Sequence, residues 1–233
     1  MTNVLQYEQR GDVAVLTVDD GKANALSHDL ITALHGALDQ AQADAAAVVF
    51  VGRPGRFCAG FDLSVMQGGP DVVRALVKAG AELFVRIYEF PQPVVAACTG
   101  HALAAGAIWL MAADLRIGAA GSFKIGLNEV SIGMPVPVFA TELARDRLSP
   151  RHLGAATVLA TIYDPAAAVE VGYLDVVVEP DAVVETAITR ADTLAQGLRR
   201  GAFATSKANL RTATTTTIRA SLDADIAAFT VEQ

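Results

Sequence analysis

A chain of 233 residues, 52% hydrophobic and 18% charged, is long enough to bury one large core and too apolar to be disordered. Its formal charge of −7 and pI near 5.0 argue against nucleic acid or an anionic membrane surface as the main partner. An anionic ligand stays open, because backbone N–H groups and a few local cations bind phosphate without a basic surface.

The start, "MTNVLQYEQR", lacks a basic segment followed by an apolar stretch, so no signal peptide is expected. Cys58 and Cys98, both among small apolar neighbours, read as free thiols in a reducing cytoplasm. "VLQYEQRGDVAVLTVDD" predicts two strands joined near Arg10–Gly11. Ser27 is placed to cap a helix carrying Leu30, Ile31, Leu34 and Leu38 at the 3.6-residue period. "AAVVFVG" follows as a buried strand. From Asp71 to Tyr88 the apolar positions form the clearest helical stripe, and Gly80 falls on it. There it costs about 1 kcal/mol against alanine unless a neighbour needs the space.

From Phe90 to Ala113 no Asp, Glu, Lys or Arg occurs, a length that raises the question of a membrane span. "FPQPVV" and "CTGH" split this run into a strand, a turn and a helix starting near Ala104, which reads as buried core. "DLRIGA" and "GSFKIG" predict two short strands. Ser149–Pro150 and Asp164–Pro165 each place a capping residue before a proline that can open a helix. "YLDVVVEP" is one more strand. From Asp181 onward the pattern is helical only, with breaks at Gly197 and Gly201 and a locally weakened helix at "TATTTT" (212–217). The alternation of strands and helices predicts an α/β fold, divided as a core over 1–180 and a helical C-terminal region over 181–233.

A dinucleotide fingerprint, a Walker loop, a nucleophile elbow and an HExxH helix are all missing. Histidines 28, 35, 101 and 152 have no spaced acid or cysteine partners, so no metal site is expected, and His101 reads as a hydrogen-bonded core residue. Two small-residue turns are more informative: "GRFCAGFDL" (55–63) and "TGHALAAGAIWL" (99–110). Each follows a strand, and the second opens a helix whose first N–H groups lack partners. Two such groups aimed at one point make an oxyanion hole. In "KIGLNEVSIGMP" (124–135) Glu129 stands among apolar and glycine neighbours, with only Lys124 nearby. A buried unpaired carboxylate is costly, so it either faces water or is kept for chemistry.

"KANAL" (22–26), "GRFCAGFDL", "PQPVVAACTGHALAAGAIWLMAADLRI" (91–117) and "GLNEVSIGMP" (126–135) together resemble the crotonase superfamily of enoyl-CoA hydratases and isomerases. The resemblance runs in order and spacing to about residue 180. It implies a spiral of strand–strand–helix turns and a helical C-terminal trimerisation region. It also implies an acyl-CoA thioester as substrate, with coenzyme A part of that substrate and no separate cofactor, in a homotrimer or hexamer. Carried over by position, the N–H groups of Phe61 and Ala105 would form the oxyanion hole. Ala105 is the middle of "AAG", where relatives have three glycines. Lys22, near phosphate, and backbone groups of Ala23, Ala25, Ala59 and Asp62 would contact the CoA moiety, with Gly60, Leu63 and Gly106 in the same binding set. Asp62 and Asp114 read as structural turn or cap acceptors. Relatives usually continue past "LDADIAAFTVEQ" through a further basic helix that helps to cover the CoA.

Hydratases of this superfamily use two glutamates. The position of the first is Ile108, and that of the second is Glu129. A single acid–base suits isomerisation better than hydration, and "GLNEVSIG" resembles the glutamate segment of the Δ3,Δ2-enoyl-CoA isomerases. The leading expectation is therefore a cytoplasmic 3-enoyl-CoA isomerase with Glu129 as sole acid–base. Two alternatives stand beside it: a hydratase with a reduced acid–base set, and a non-catalytic acyl-CoA binder. Trp109, Phe61, Met66 and the helix at 71–88 are candidates for shaping the acyl pocket, with core packing an equal explanation.

Overall fold

The computed structural model describes residues 4–230. The residues at 1–3 and the end of the "LDADIAAFTVEQ" segment, 231–233, lie outside that range. In chain order the first elements are β1 (Leu5–Arg10), β2 (Val13–Val18), α1 (His28–Asp44), β3 (Ala47–Val51), β4 (Gly55–Cys58), α2 (Leu63–Met66) and α3 (Pro70–Glu89). Next come β5 (Val94–Cys98), β6 (Gly100–Leu103), α4 (Ala105–Ala112), β7 (Leu115–Ala119), β8 (Ile125–Gly126) and a 3-10 turn (Val130–Ile132). The chain finishes with α5 (Val138–Arg147), α6 (Leu153–Thr157), α7 (Pro165–Val171), β9 (Val176–Val178), α8 (Val183–Gly197) and α9 (Arg200–Ala228).

β1 and β2 pair antiparallel, from Leu5 opposite Val18 to Arg10 opposite Val13. From β2 on, the six-stranded sheet β1-β2-β3-β5-β7-β9 is parallel. β4, β6 and β8 make a second, three-stranded parallel sheet. Each successive pair, β3/β4, β5/β6 and β7/β8, thus sends one strand to each sheet before the chain turns helical. That is the spiral of strand–strand–helix turns expected from the motifs. In the pairing of β4 with β6, Arg56 faces His101 and Cys58 faces Ala102, so Phe57 is an extra residue and the register slips there.

The parallel sheet is covered on both faces, which explains why β3 and β5 are apolar without alternation. Val48 and Phe50 face the main core with α1, α3 and α4. Val49, Val51 and Val95 face Val183, Ala187 and Ala191 of α8. The uncharged run at 90–113 is buried core, as expected, and among the described residues no helix is long and apolar enough to cross a membrane. Cys58 and Cys98 are buried and free, and burial pushes both thiols up to about 12.

The structure corrects several sequence expectations. β4 and β6 were expected to be turns. Their short, glycine-containing sequences "GRFC" and "GHAL" carry little strand signal, and the strands exist through pairing with each other. Only Ile125–Gly126 of "GSFKIG" is strand. Ser149–Pro150 opens a turn rather than a helix, and α6 begins at Leu153 after His152. Asp164 does cap α7, its carboxylate accepting the Ala167 N–H at 2.9 Å. Gly201 lies in the first turn of α9 and breaks nothing, and α9 runs through the threonine tract. There Thr212 and Thr217 donate to the carbonyls four residues earlier, so their hydroxyls are satisfied within the helix.

Candidate active site

A cavity of about 890 Å³ opens between the loop after β2, the β4–α2 segment, α4 and the turn that carries Glu129. Lys22, Ala23, Ala25, Ala59, Gly60, Asp62 and Leu63 line it, as the motifs implied, together with Phe61 and Glu129. Ala105, expected for its N–H alone, and Gly106 are not among the lining residues. The Ala105 side chain is fully buried and does not line the cavity; Ala104 and Ile108 from the same turn and helix do. Gly106 packs tightly, since a Cβ there would meet the Cys58 carbonyl oxygen at 2.1 Å. Its role is to let α4 press against β4.

The "KANAL" loop owes its shape to Asn24, which is buried with φ at 53°. Its amide donates to the Val18 carbonyl at 2.8 Å and reaches the Arg56 and Phe57 carbonyls at 3.2 and 3.3 Å. Its side-chain oxygen accepts the Asp20 N–H at 3.0 Å. Backbone bonds then stitch this loop to "CAGFDL": Ala59 N–H to Ala23 O, Leu26 N–H to Gly60 O, and Asp62 N–H to Leu26 O. Asn24→Gly keeps the left-handed backbone and removes only these side-chain bonds. It is expected to lower unfolding stability by about 1–3 kcal/mol in urea denaturation, because buried carbonyls lose their donors.

The bonds at residues 60 and 62 leave the Phe61 N–H between them pointing away from Leu26. Ala104 adopts φ 50° and ψ −120°, a conformation that costs an alanine about 1–3 kcal/mol. It is held by Ala104 N–H to Gly126 O and by Ala107 and Ile108 donating to Ala104 O. This bend presents the first N–H of α4, that of Ala105, at the helix entrance. Among the described residues neither the Phe61 nor the Ala105 N–H has an acceptor. The two loops touch: a Cβ on Gly60 would lie 3.2 Å from Ala104 Cβ and 4.0 Å from the Ala105 nitrogen.

Glu129 is only 4% exposed, and its Oε2 has no hydrogen-bond partner. Its backbone is pinned, because its carbonyl accepts N–H groups from Ile132 and Met134 at 3.0 Å each. Burial pushes the carboxyl up to about 7, against a smaller opposing effect of its own N–H. The solvent-facing alternative for this residue therefore does not hold. Asn128, beside it, also lines the cavity and has a buried Oδ1 without a partner. Tyr173 was not singled out in the sequence. It is fully buried near Glu129, and desolvation, then the Glu129 charge, raise its pKa.

Of the other candidates, Met66 lines the cavity, as does Val77 of α3, whereas Trp109 packs in the core on Phe50 and Phe57 at 5.1 and 5.4 Å. Phe229, just past α9, closes part of the wall and was not foreseen, since nothing local marks a residue 100 positions beyond the glutamate. His101 stays outside the cavity, where its Nδ1 accepts the Lys124 N–H at 2.9 Å. Asp62 caps α2, accepting the Ser64 hydroxyl and N–H, and these bonds hold its pKa down.

Among the described residues the arrangement offers one buried, unpartnered carboxyl and two unpartnered N–H groups around a largely apolar cavity, with Ile108 also in its wall. Residues 8–233 match the family described as Enoyl-CoA hydratase/isomerase. Enoyl-CoA delta isomerase 1, mitochondrial, of Homo sapiens is 31% identical over 224 residues, which cover 93% of this chain and 73% of that protein. The crystal structure of an enoyl-CoA hydratase/isomerase family protein from Pseudomonas syringae aligns with a TM-score of 0.95 at 38% identity, over 98% of this chain and 99% of that one. An enoyl-CoA isomerase from Mycobacterium tuberculosis aligns at 0.93 with 37% identity, over 98% and 100%. The chain has the crotonase α/β fold and belongs to the enoyl-CoA hydratase/isomerase family of enzymes.

Proposed function

We propose that this enzyme moves the double bond of a 3-enoyl-CoA to the 2-position, with Glu129 as its sole acid–base. The observation that carries this reading is that, among the described residues, a single buried, unpartnered carboxyl lines the cavity, with Ile108 in place of a second acid. Glu129 takes the proton from the α-carbon, and the electron pair delocalises through the double bond to the thioester oxygen. The Phe61 and Ala105 N–H groups stabilise the resulting dienolate oxygen. The protonated Glu129 then delivers the same proton to the γ-carbon, which leaves the 2-enoyl product and restores the carboxylate. Hydration would need a second group to activate water, and Ile108 cannot exchange a proton.

A product assay with matched 2-enoyl and 3-enoyl thioesters tests the proposal. The expected result is conversion of the 3-enoyl substrate to the 2-enoyl product with little 3-hydroxy product. Robust hydration of the 2-enoyl thioester would replace it with the hydratase reading. Tight binding with no turnover of either isomer would make the protein a binder.

The acid limb of the pH profile follows from the carboxyl. Only its ionised form accepts a proton, and burial raises its pKa from 4.5 to about 7. The isomerisation kcat/KM is therefore expected to rise tenfold per pH unit well below 7 and level off above it. A limb near 4.5 would show that Glu129 is not the base.

A further inference from the structure

Gly80 sits in the middle of α3 on its buried stripe, between Val77 and Ala81. Its φ is not in the left-handed region, so the backbone does not require glycine there. What requires it is space. A Cβ on Gly80 would fall 2.4 Å from Phe61 Cε1 and 2.5 Å from Phe61 Cζ. The Phe61 ring thus rests directly against the helix backbone, and Phe61 is one of the residues that line the cavity. Alanine at position 80 would force the ring away by about 1 Å or more to reach ordinary contact distance. The Phe61 backbone cannot follow, because the flanking bonds through Gly60 O and Asp62 N–H tie it to Leu26. The ring must therefore turn about its own side-chain bonds, and the open side is the cavity.

We infer that Gly80 and Phe61 together set the length of acyl chain the cavity accepts, with Gly80 holding the aromatic ring back at the cavity wall, where it limits the room left for the chain. This rests on the acyl-CoA reading above, but the acyl-length readout is independent of which reaction occurs. Val77 lies one turn before Gly80 on α3 and also faces the cavity, so the ring and this helix form one wall of the same apolar space.

The test compares Gly80→Ala with the unaltered enzyme on 3-hexenoyl-CoA and 3-dodecenoyl-CoA, with Kd values for saturated hexanoyl-CoA and dodecanoyl-CoA measured by calorimetry. The long-to-short ratio of kcat/KM is expected to fall about tenfold, the scale of losing one methylene's space in an apolar pocket. The Kd ratio should shift in parallel, including in a protein that turns over neither enoyl isomer. A second variant, Gly80→Ala with Phe61→Ala, removes the ring and is expected to restore the long-to-short ratio. Against a Phe61→Ala background, Gly80→Ala should also raise the melting temperature, because only the gain in helix propensity remains. Equal losses on both chain lengths, an unchanged ratio, or a ratio the double variant does not restore would each overturn the inference. If Gly80→Ala does not fold, Phe61→Ala alone decides: the ratio should rise, and a fall or no change counts against the proposal.

Discussion

Glu129→Gln is expected to lower isomerisation by ~10²–10⁴-fold while acyl-CoA still binds. The amide fills the same space and keeps a polar end in the cavity, but it cannot accept the α-proton. Unchanged turnover would remove Glu129 from the mechanism. The same variant has a stability signature that separates chemistry from damage. Because burial raises the folded-state pKa to about 7, the native protein holds this proton across a range where the unfolded chain has released it. That contribution is fully present below about 4.5 and is lost as the pH rises through 7. Relative to the Gln variant, the native enzyme should therefore lose on the order of 3 kcal/mol between pH 4.5 and pH 8. Parallel melting temperatures across that window would mean that the carboxyl reaches water.

Asp114→Asn is expected to cost about 3–5 kcal/mol of stability, the largest loss from any single polar change considered. Asp114 Oδ2 accepts the Lys207 ammonium at 2.7 Å and the Val94 N–H at 2.8 Å, and its Oδ1 lies 2.8 Å from Arg211. The side chains of both cations are buried, at 3% and 4% exposed. Asparagine can keep a hydrogen bond but removes the one negative charge that both cations share. Burial has already pushed Lys207 down to about 8, so this lysine has little margin left for holding its proton at neutral pH. Thermal or urea unfolding reads the loss, and a loss under 1 kcal/mol would mean that the cations find other partners. The pair also fastens α9 to the start of β5, so the C-terminal helix should loosen first.

Much of this fold could be read from local pattern. The Ser27 cap, the α3 stripe and the strands around the uncharged run follow from periodicity and capping chemistry that a few adjacent residues display. Glu129 stood out for the same reason, as a charged residue among apolar and glycine neighbours. What local pattern could not show depends on partners far along the chain. β4 and β6 are strands through pairing with each other and, for β6, with β8, and Gly106 is a glycine because of Cys58, 48 positions earlier. Phe229 reaches the cavity, and Tyr173 lies buried near Glu129, from segments that carry no motif of their own. Gly80 lay in between: its cost to the helix was visible in sequence, but its reason, the Phe61 ring, was visible only in three dimensions.

The extra residue Phe57 in β4 ties the cavity's edge to the core. Arg56 and Cys58 keep their pairing with β6, and the Phe57 ring between them is buried against Trp109 of α4. The carbonyls of Arg56 and Phe57 are the ones the Asn24 amide reaches. One inserted residue thus serves as an aromatic plug for the core and as an anchor for the loop that carries Ala23 and Ala25. Deleting it would loosen both together, so the cavity's rim and the core beneath α4 should fail as one unit.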